Sequence, residues 1–361
     1  LGVLLDAASS SMTDLVTDYA VSTSGPSGRS VAMLTFIGDT LLFGNDTWWW
    51  KHTNVLIHLL AGLLVFAFVR LCCTATNTRH GAVIGAFVAT AWLLHPLNVS
   101  TVLYTVQRMT ELSSLFVLAG LVCYLQGRLW QARRPLAGWL LIGAGFFICF
   151  PLAVLSKENA LLFPVYCTLI EFTILRTRSE SSQDRVVRWM HAALVIGYAF
   201  SAVLILLNFS GFVLESYAHR DFSPAERLLT QFRVIATYLS QIALPLPGQL
   251  GFFHDDVAVS TGLVSPVTTL ISLTVLTALL ATALLTVRSL PLYAFGILFY
   301  FSSHLIESTF LGLELMFEHR NHLGLVGILV AVAALVVRYM PEGRAQPATA
   351  VGAVVVLAAL T

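Results

Sequence analysis

Nine residues, Glu314 to His322, hold two glutamates, an arginine and two histidines in the stretch "LELMFEHRNHLG", between two long apolar runs. Carboxylates and imidazoles exchange protons, and a guanidinium grips phosphate or carboxylate oxygens in a planar fork. A charged side chain at a bilayer centre costs about 2.5–3.5 kcal/mol, so this cluster belongs at a membrane surface or in a wet cavity. Comparable polar clusters interrupt the chain earlier. "GNDTWWWKHTN" carries Trp48, Trp49 and Trp50 beside Lys51 and His52, an arrangement that reads as an aromatic anchor for the next helix. "HPLNVSTVLYTVQRMTEL" sets Arg108 and Glu111 three apart at a helix start, close enough to pair with each other. "LSKENALLFP" puts Lys157 and Glu158 in a short link, and Lys157 is one of only two lysines. A compact ammonium there suits a phosphate, or snorkels with Glu158 as counter-ion. "GFFHDDVAVS" offers His254, Asp255 and Asp256, one carboxylate of which is expected to face a cavity or cap a turn. "SSHLIEST" places His304 and Glu307 at a helix end, just before the opening cluster.

The elements that must position these groups are greasy. Of 361 residues, 57% are hydrophobic and 11% charged, and the mean hydropathy is +0.82. This is an all-α polytopic membrane protein rather than a soluble domain. A net charge of +1 gives no nucleic-acid footprint. The five cysteines show no CxxC spacing and imply neither a disulfide framework nor a zinc site. Apolar runs fall near 53–72, 80–95, 109–125, 136–155, 160–175, 190–208, 265–287, 290–306, 323–338 and 348–361, about ten spans. They are read as one transmembrane domain over 1–361, with 1–50 as the first external loop. Both ends look cut, and at least one more helix is expected before Leu1.

Twelve of the twenty basic residues lie in one set of loops with only four acids, which makes that set cytoplasmic. The polar clusters then all face outward. The stretch 227–243, inside an external loop 209–264, must not cross if its flanking spans obey the charge rule. Leu228, Phe232, Ile235, Leu239 and Ile242 recur at helical spacing, with Arg227, Gln231, Arg233 and Gln241 elsewhere. That pattern predicts an amphipathic helix lying at the outer interface. Ion-coupled transporters place ionisable groups at mid-membrane. Clusters at the boundary favour an enzyme that meets a lipid-linked substrate.

Five stretches, "GRSVAMLTF", "KHTNVLIHLLAGLLVF", "HPLNVSTVLYTVQRMTELSSLF", "LSKENALLFP" and "MFEHRNHLG", occur in an order that resembles bacterial GT-C-fold membrane glycosyltransferases. The chain is similar to the catalytic part of the TMTC protein O-mannosyltransferases and to TfpW-like pilin glycosyltransferases. The resemblance implies a polyprenyl-phosphate-linked sugar donor, a protein or glycan acceptor, and an active site facing the periplasm from a bacterial inner membrane. It implies no nucleic-acid partner, and a divalent metal stays open as a cofactor. The family's acidic base belongs in the first external loop and is expected before Leu1, with Asp6, Asp14 and Asp18 poor substitutes. Glycosyl transfer from a phosphate needs a base on the acceptor hydroxyl and positive charge on the leaving phosphate. On that reading Lys157 and Arg320 hold the phosphate at a common cavity, with Arg108 a weaker third. Glu158 and Glu318 orient these cations or assist deprotonation, Glu318 chiefly positioning Arg320. His319, His304 and Asp255 contact sugar or phosphate. An O-antigen ligase or polymerase, and a flippase or transporter of lipid-linked glycans, are the alternatives.

Overall fold

The computed structural model describes residues 28–44, 46–176, 182–254 and 256–339. Helices account for nearly all of its regular structure, and no β-strand occurs among the described residues. They run α1 (Ser30–Phe43), α2 (Thr47–Ala75), α3 (Gly81–Leu93), α4 (Val99–Leu103), α5 (Arg108–Trp130), α6 (Pro135–Ala144) and α7 (Phe150–Val154). Then follow α8 (Phe163–Thr173), α9 (Ser182–Leu207), α10 (Pro224–Ala243), α11 (Thr268–Thr286), α12 (Pro291–Ser303) and α13 (Asn321–Tyr339). Among the described residues, six helical stretches are long and apolar enough to cross a membrane, seven if α3 and α4 form one span bent by 52°. The protein is an all-helical polytopic membrane protein. The run 160–175 shortens to the eleven residues of α8, α12 has thirteen, and 348–361 lies outside the described residues.

The stretch 1–50 differs from the sequence reading. Its described part is no loop: α1 occupies Ser30–Phe43 and α2 begins at Thr47. Asp39 in the middle of "SVAMLTFIGDTLLF" breaks the hydropathy of α1 but not its helix. Asp46 caps α2 by accepting from the Trp48 amide at 2.9 Å. Trp48 and Trp49 are exposed, as an anchor requires, whereas Trp50 is buried against Phe36.

The chain divides into two compact units, one reaching Phe163 and the other covering Pro164–Met340. In the first, α5 packs on α2 and α6. A Cβ on Gly127 would lie 2.7 Å from the Gly138 carbonyl, so these two glycines let α5 and α6 meet backbone to backbone. In the second, α12 packs on α13 in the same manner through Gly296 and Gly327, where a Cβ would come within 2.3 Å of the facing carbonyl.

The second unit also contains the expected amphipathic helix, α10. A complete capping box between Ser223 and Glu226, with Pro224 at the first helical position, starts it three residues earlier than its hydropathy does. Its orientation is a finding. Arg227, Thr230, Gln231 and Gln241 are buried, while Leu228 is 42% exposed. A mixed face turns into the protein, Val234, Ile235, Tyr238 and Ile242 being buried beside the polar residues, and the polar ones meet a chain segment with no helix of its own. Arg227 donates to the carbonyls of Glu307 (2.8 Å), Thr309 (3.0 Å), Leu313 and Glu314 (2.9 Å). Gln231 donates to the Leu315 carbonyl at 2.8 Å. The Tyr238 hydroxyl donates to the Phe317 carbonyl and is placed to accept from the Phe317 amide, both at 2.8 Å. Burial lowers the Arg227 pKa to about 10, with the neighbouring Arg320 a smaller contributor, so the side chain stays charged at neutral pH.

Arg227→Met removes four charge-assisted bonds and strands buried carbonyls, and is expected to cost about 3 kcal/mol or more. Leu228→Met, on the exposed face, should stay within about 0.5 kcal/mol. Thermal or denaturant unfolding in detergent, read side by side, checks the difference; equal effects would remove Arg227 from its structural role.

Candidate functional site

In the first unit, Arg108 opens α5 and is fully buried. Its Nε donates to Asn54 Oδ1 at 2.7 Å and one terminal nitrogen donates to the Trp50 carbonyl at 2.8 Å. The same nitrogen lies 2.6 Å from Asp39 Oδ2, and the guanidinium sits 4.3 Å from the Phe36 ring centroid. Asp39 Oδ1 accepts from the Thr53 hydroxyl at 2.9 Å. The anticipated Arg108–Glu111 pair therefore gives way to an Arg108–Asp39 pair, because α1 brings a carboxylate up to the guanidinium. Glu111 is buried with neither carboxylate oxygen accepting a hydrogen bond, and one of them is within 4.8 Å of a His58 ring nitrogen.

Lys157 lies just beyond α7 and is 7% exposed; its ammonium donates to Thr110 Oγ1 at 3.2 Å. Glu158 is turned to Arg29, with a shortest ion-pair distance of 3.0 Å. Arg29 also donates to Met109 Sδ at 2.9 Å. Its φ of 49° lies in the left-handed region, a conformation that costs on the order of 1 kcal/mol for a non-glycine residue. The ion pair fixes it there. Arg29 and Lys157 thus contact Met109 and Thr110, the two residues that follow Arg108 in sequence. Arg29, Arg108 and Lys157 each sit at the end of a helix rather than inside it.

In the second unit, the expected link between Glu318 and Arg320 does not form. Glu318 is 4% exposed, and its Oε1 accepts from the Gly251 amide at 2.6 Å and pairs with His254 Nε2 at 3.2 Å. Arg320 instead donates to the carbonyls of Leu315 (3.1 Å) and Glu314 (2.8 Å) and lies over the Phe317 ring. The physical reason is the short turn Glu318–Arg320, in which residues two apart project to different sides. His319 stacks on Phe317 with ring centroids 5.0 Å apart. His304 is buried, stacked on Tyr238 and edge-on to Tyr300, and burial lowers its pKa to about 4, Glu307 opposing the shift. It is a neutral packing residue rather than an exposed donor to substrate. Asp255 lies outside the described residues. A pocket of about 800 Å³ opens between α10 and the 248–258 segment, lined by His254 and Asp256 among others.

Taken separately, neither unit brings three histidine, cysteine or carboxylate ligands together among its described residues. No protein-family model, curated protein or solved structure matches the chain. The residues that sequence reasoning passed over are Asp39, Asn54, Arg29 and the His254–Glu318 contact. Asp39 did carry a signal: it is the lone charge in an apolar fourteen-residue helix, and a buried acid demands a cation.

Asp39→Asn leaves Arg108 buried without its counter-charge and is expected to cost about 3–5 kcal/mol. Adding Arg108→Met should recover part of that loss in the same melting assay; an additive double variant would show that the two do not act as a pair. His304 gives a pH signature. Folded His304 titrates near 4 and the unfolded side chain near 6.5, so the unfolded state holds more protons between those values. Stability is full above about pH 6.5 and falls by about 3 kcal/mol as pH drops to about 4. His304→Gln should flatten that slope, measured as melting temperature against pH.

Proposed function

We propose that this protein is a GT-C-type membrane glycosyltransferase moving a sugar from a polyprenyl-phosphate-linked donor to a protein or glycan acceptor. We place it in a bacterial inner membrane with its chemistry on the periplasmic side, where the charge rule puts the polar clusters. The observation that carries the reading is that Arg29 and Lys157, both at helix ends, contact the adjacent residues Met109 and Thr110 beside Arg108. A polyprenyl phosphate keeps its chain among lipid tails and its phosphate at the boundary, where such cations are stable. A transporter's charges belong along a path through the spans.

Within the cluster the roles separate by partners. Arg108 is fully enclosed and committed to Asp39, Asn54 and the Trp50 carbonyl, so it holds α1, α2 and α5 in register. Arg29 is partly exposed and Lys157 adjoins it through the 108–110 stretch. These two are the cations we assign to the leaving phosphate. Positive charge there stabilises the negative charge that develops as the anomeric C–O bond breaks. Glu158 then orients Arg29.

Purified protein in liposomes, given a labelled polyprenyl-phosphate sugar and an acceptor preparation, should release polyprenyl phosphate as the sugar moves. Lys157→Ala should reduce release about 10–100-fold with the protein still folded, the worth of one charge-assisted contact. Translocation of intact donor without release would replace the enzyme with a flippase. Wild-type turnover in both Lys157→Ala and Arg29→Ala would return these residues to plain interfacial anchors.

A further inference from the structure

Two thiols of the first unit face each other within its apolar helices, and the cation cluster makes no use of them. Cys123 lies on α5, and Cys149 closes a five-residue π turn, Gly145–Cys149, between α6 and α7. Wide turns of this kind recur at functional sites. Glycines bring the two backbones together here. A Cβ on Gly145 would lie 3.1 Å from the Gly120 carbonyl and 3.8 Å from Cys123 Cβ. One on Gly120 would lie 3.2 Å from Cys149 Cβ. With no side chain holding α5 and the turn apart, the two thiols come within hydrogen-bonding reach of each other. Both are free cysteines.

Depth decides what can react with them. At 1.5 Å per residue, Cys123 lies about 22 Å along α5 from Arg108 and about 10 Å short of Trp130, inside a hydrocarbon core of about 30 Å. Beside Cys149 on the π turn, Phe147 and Ile148 are 83% and 58% exposed, the surface that a span shows to lipid tails. The Phe163 ring packs on Gly120 and Gly145, stacked on Phe150 and edge-on to Phe146. Cys123 and Cys149 are themselves partly exposed, whereas Cys72, Cys73 and Cys167 are buried. The reachable pair is therefore the one in contact. A charged oxidant is kept out of hydrocarbon by the loss of its hydration, and a lipid-soluble one is not.

We propose that Cys123 and Cys149 form a two-electron redox site that reacts with a lipid-soluble quinone. Both S–H bonds break and one S–S bond forms. The two electrons and two protons pass to the quinone, which leaves as the quinol. The resulting disulfide ties α5 to the π turn, and a dithiol reverses it by thiol–disulfide exchange. The site stands on the first unit's own residues and holds whether or not the cation cluster transfers a sugar.

The test uses the purified full chain, reduced and placed in nanodiscs, with a short-chain ubiquinone whose fully substituted ring gives thiols no open position to add to. Quinol should appear, read by absorbance, and peptide mass mapping should find a disulfide joining Cys123 to Cys149. Cys72, Cys73 and Cys167 should be recovered as free thiols in the same map, and dithiothreitol should restore the pair. Cys123→Ser and Cys149→Ser should each abolish quinol formation, while Lys157→Ala should leave it unchanged. The wild-type map decides the matter even where a serine variant misfolds. Free thiols at both positions after exposure to the quinone would overturn the proposal. So would a quinone adduct on either sulfur, or a disulfide to a different cysteine. Faster oxidation by ferricyanide, which stays in water, than by the quinone would equally overturn it.

Discussion

A backbone carbonyl that is neither in a helix nor in water has to find a donor, because leaving it bare in a low-dielectric surrounding costs several kcal/mol. The second unit faces that demand along the chain between α12 and α13, where no α-helix forms from Glu307 to Phe317. α10 answers it with side chains rather than with backbone. Arg227, Gln231, Tyr238 and Arg320 supply donors to successive carbonyls, and Tyr217 adds one to Phe310 at 2.6 Å. An irregular segment becomes a defined surface by this means, and the His254–Glu318 contact is built at its end.

The cations of this protein therefore fall into two kinds that sequence alone does not separate. Arg108, Arg227 and Arg320 are buried and spend their forks on internal partners. Arginine suits that task because its planar donors reach several oxygens at once and its charge survives burial. Arg29, by contrast, is partly exposed; Lys157 is about as buried as Arg320, and both Arg29 and Lys157 stand at helix ends. A search for phosphate ligands by residue type favours Arg320, which sits in the densest cluster. The carbonyl partners of Arg320 favour the less conspicuous pair.

Much of the architecture was legible because hydropathy reports helices directly: the spans around 53–72, 109–125, 136–155, 190–208, 265–287 and 323–338 correspond to the long apolar helices. The amphipathic helix near 227–243 was legible too, since its apolar residues keep helical spacing. What spacing cannot say is which face turns inward. Here polar residues of α10 are buried along with Val234, Ile235 and Ile242, because part of their partner is a backbone segment with no helix of its own. Asp39 escaped for a related reason. One acid in an apolar run lowers the hydropathy sum, while its significance lies in a cation sixty-nine positions later. Glu318 and Arg320, two apart in sequence, were read as partners, and their true partners depend on turns that the sequence pattern does not fix.

The separation between α10 and the segment it holds has a consequence for biogenesis. Arg227 leaves the ribosome about eighty residues before the carbonyls it binds. At roughly 5–20 residues per second that is an interval of some 4–16 s. Throughout it Arg227 is without those four carbonyl partners. The contacts that hold this twenty-residue helix can therefore form only after α11 and α12 have been made.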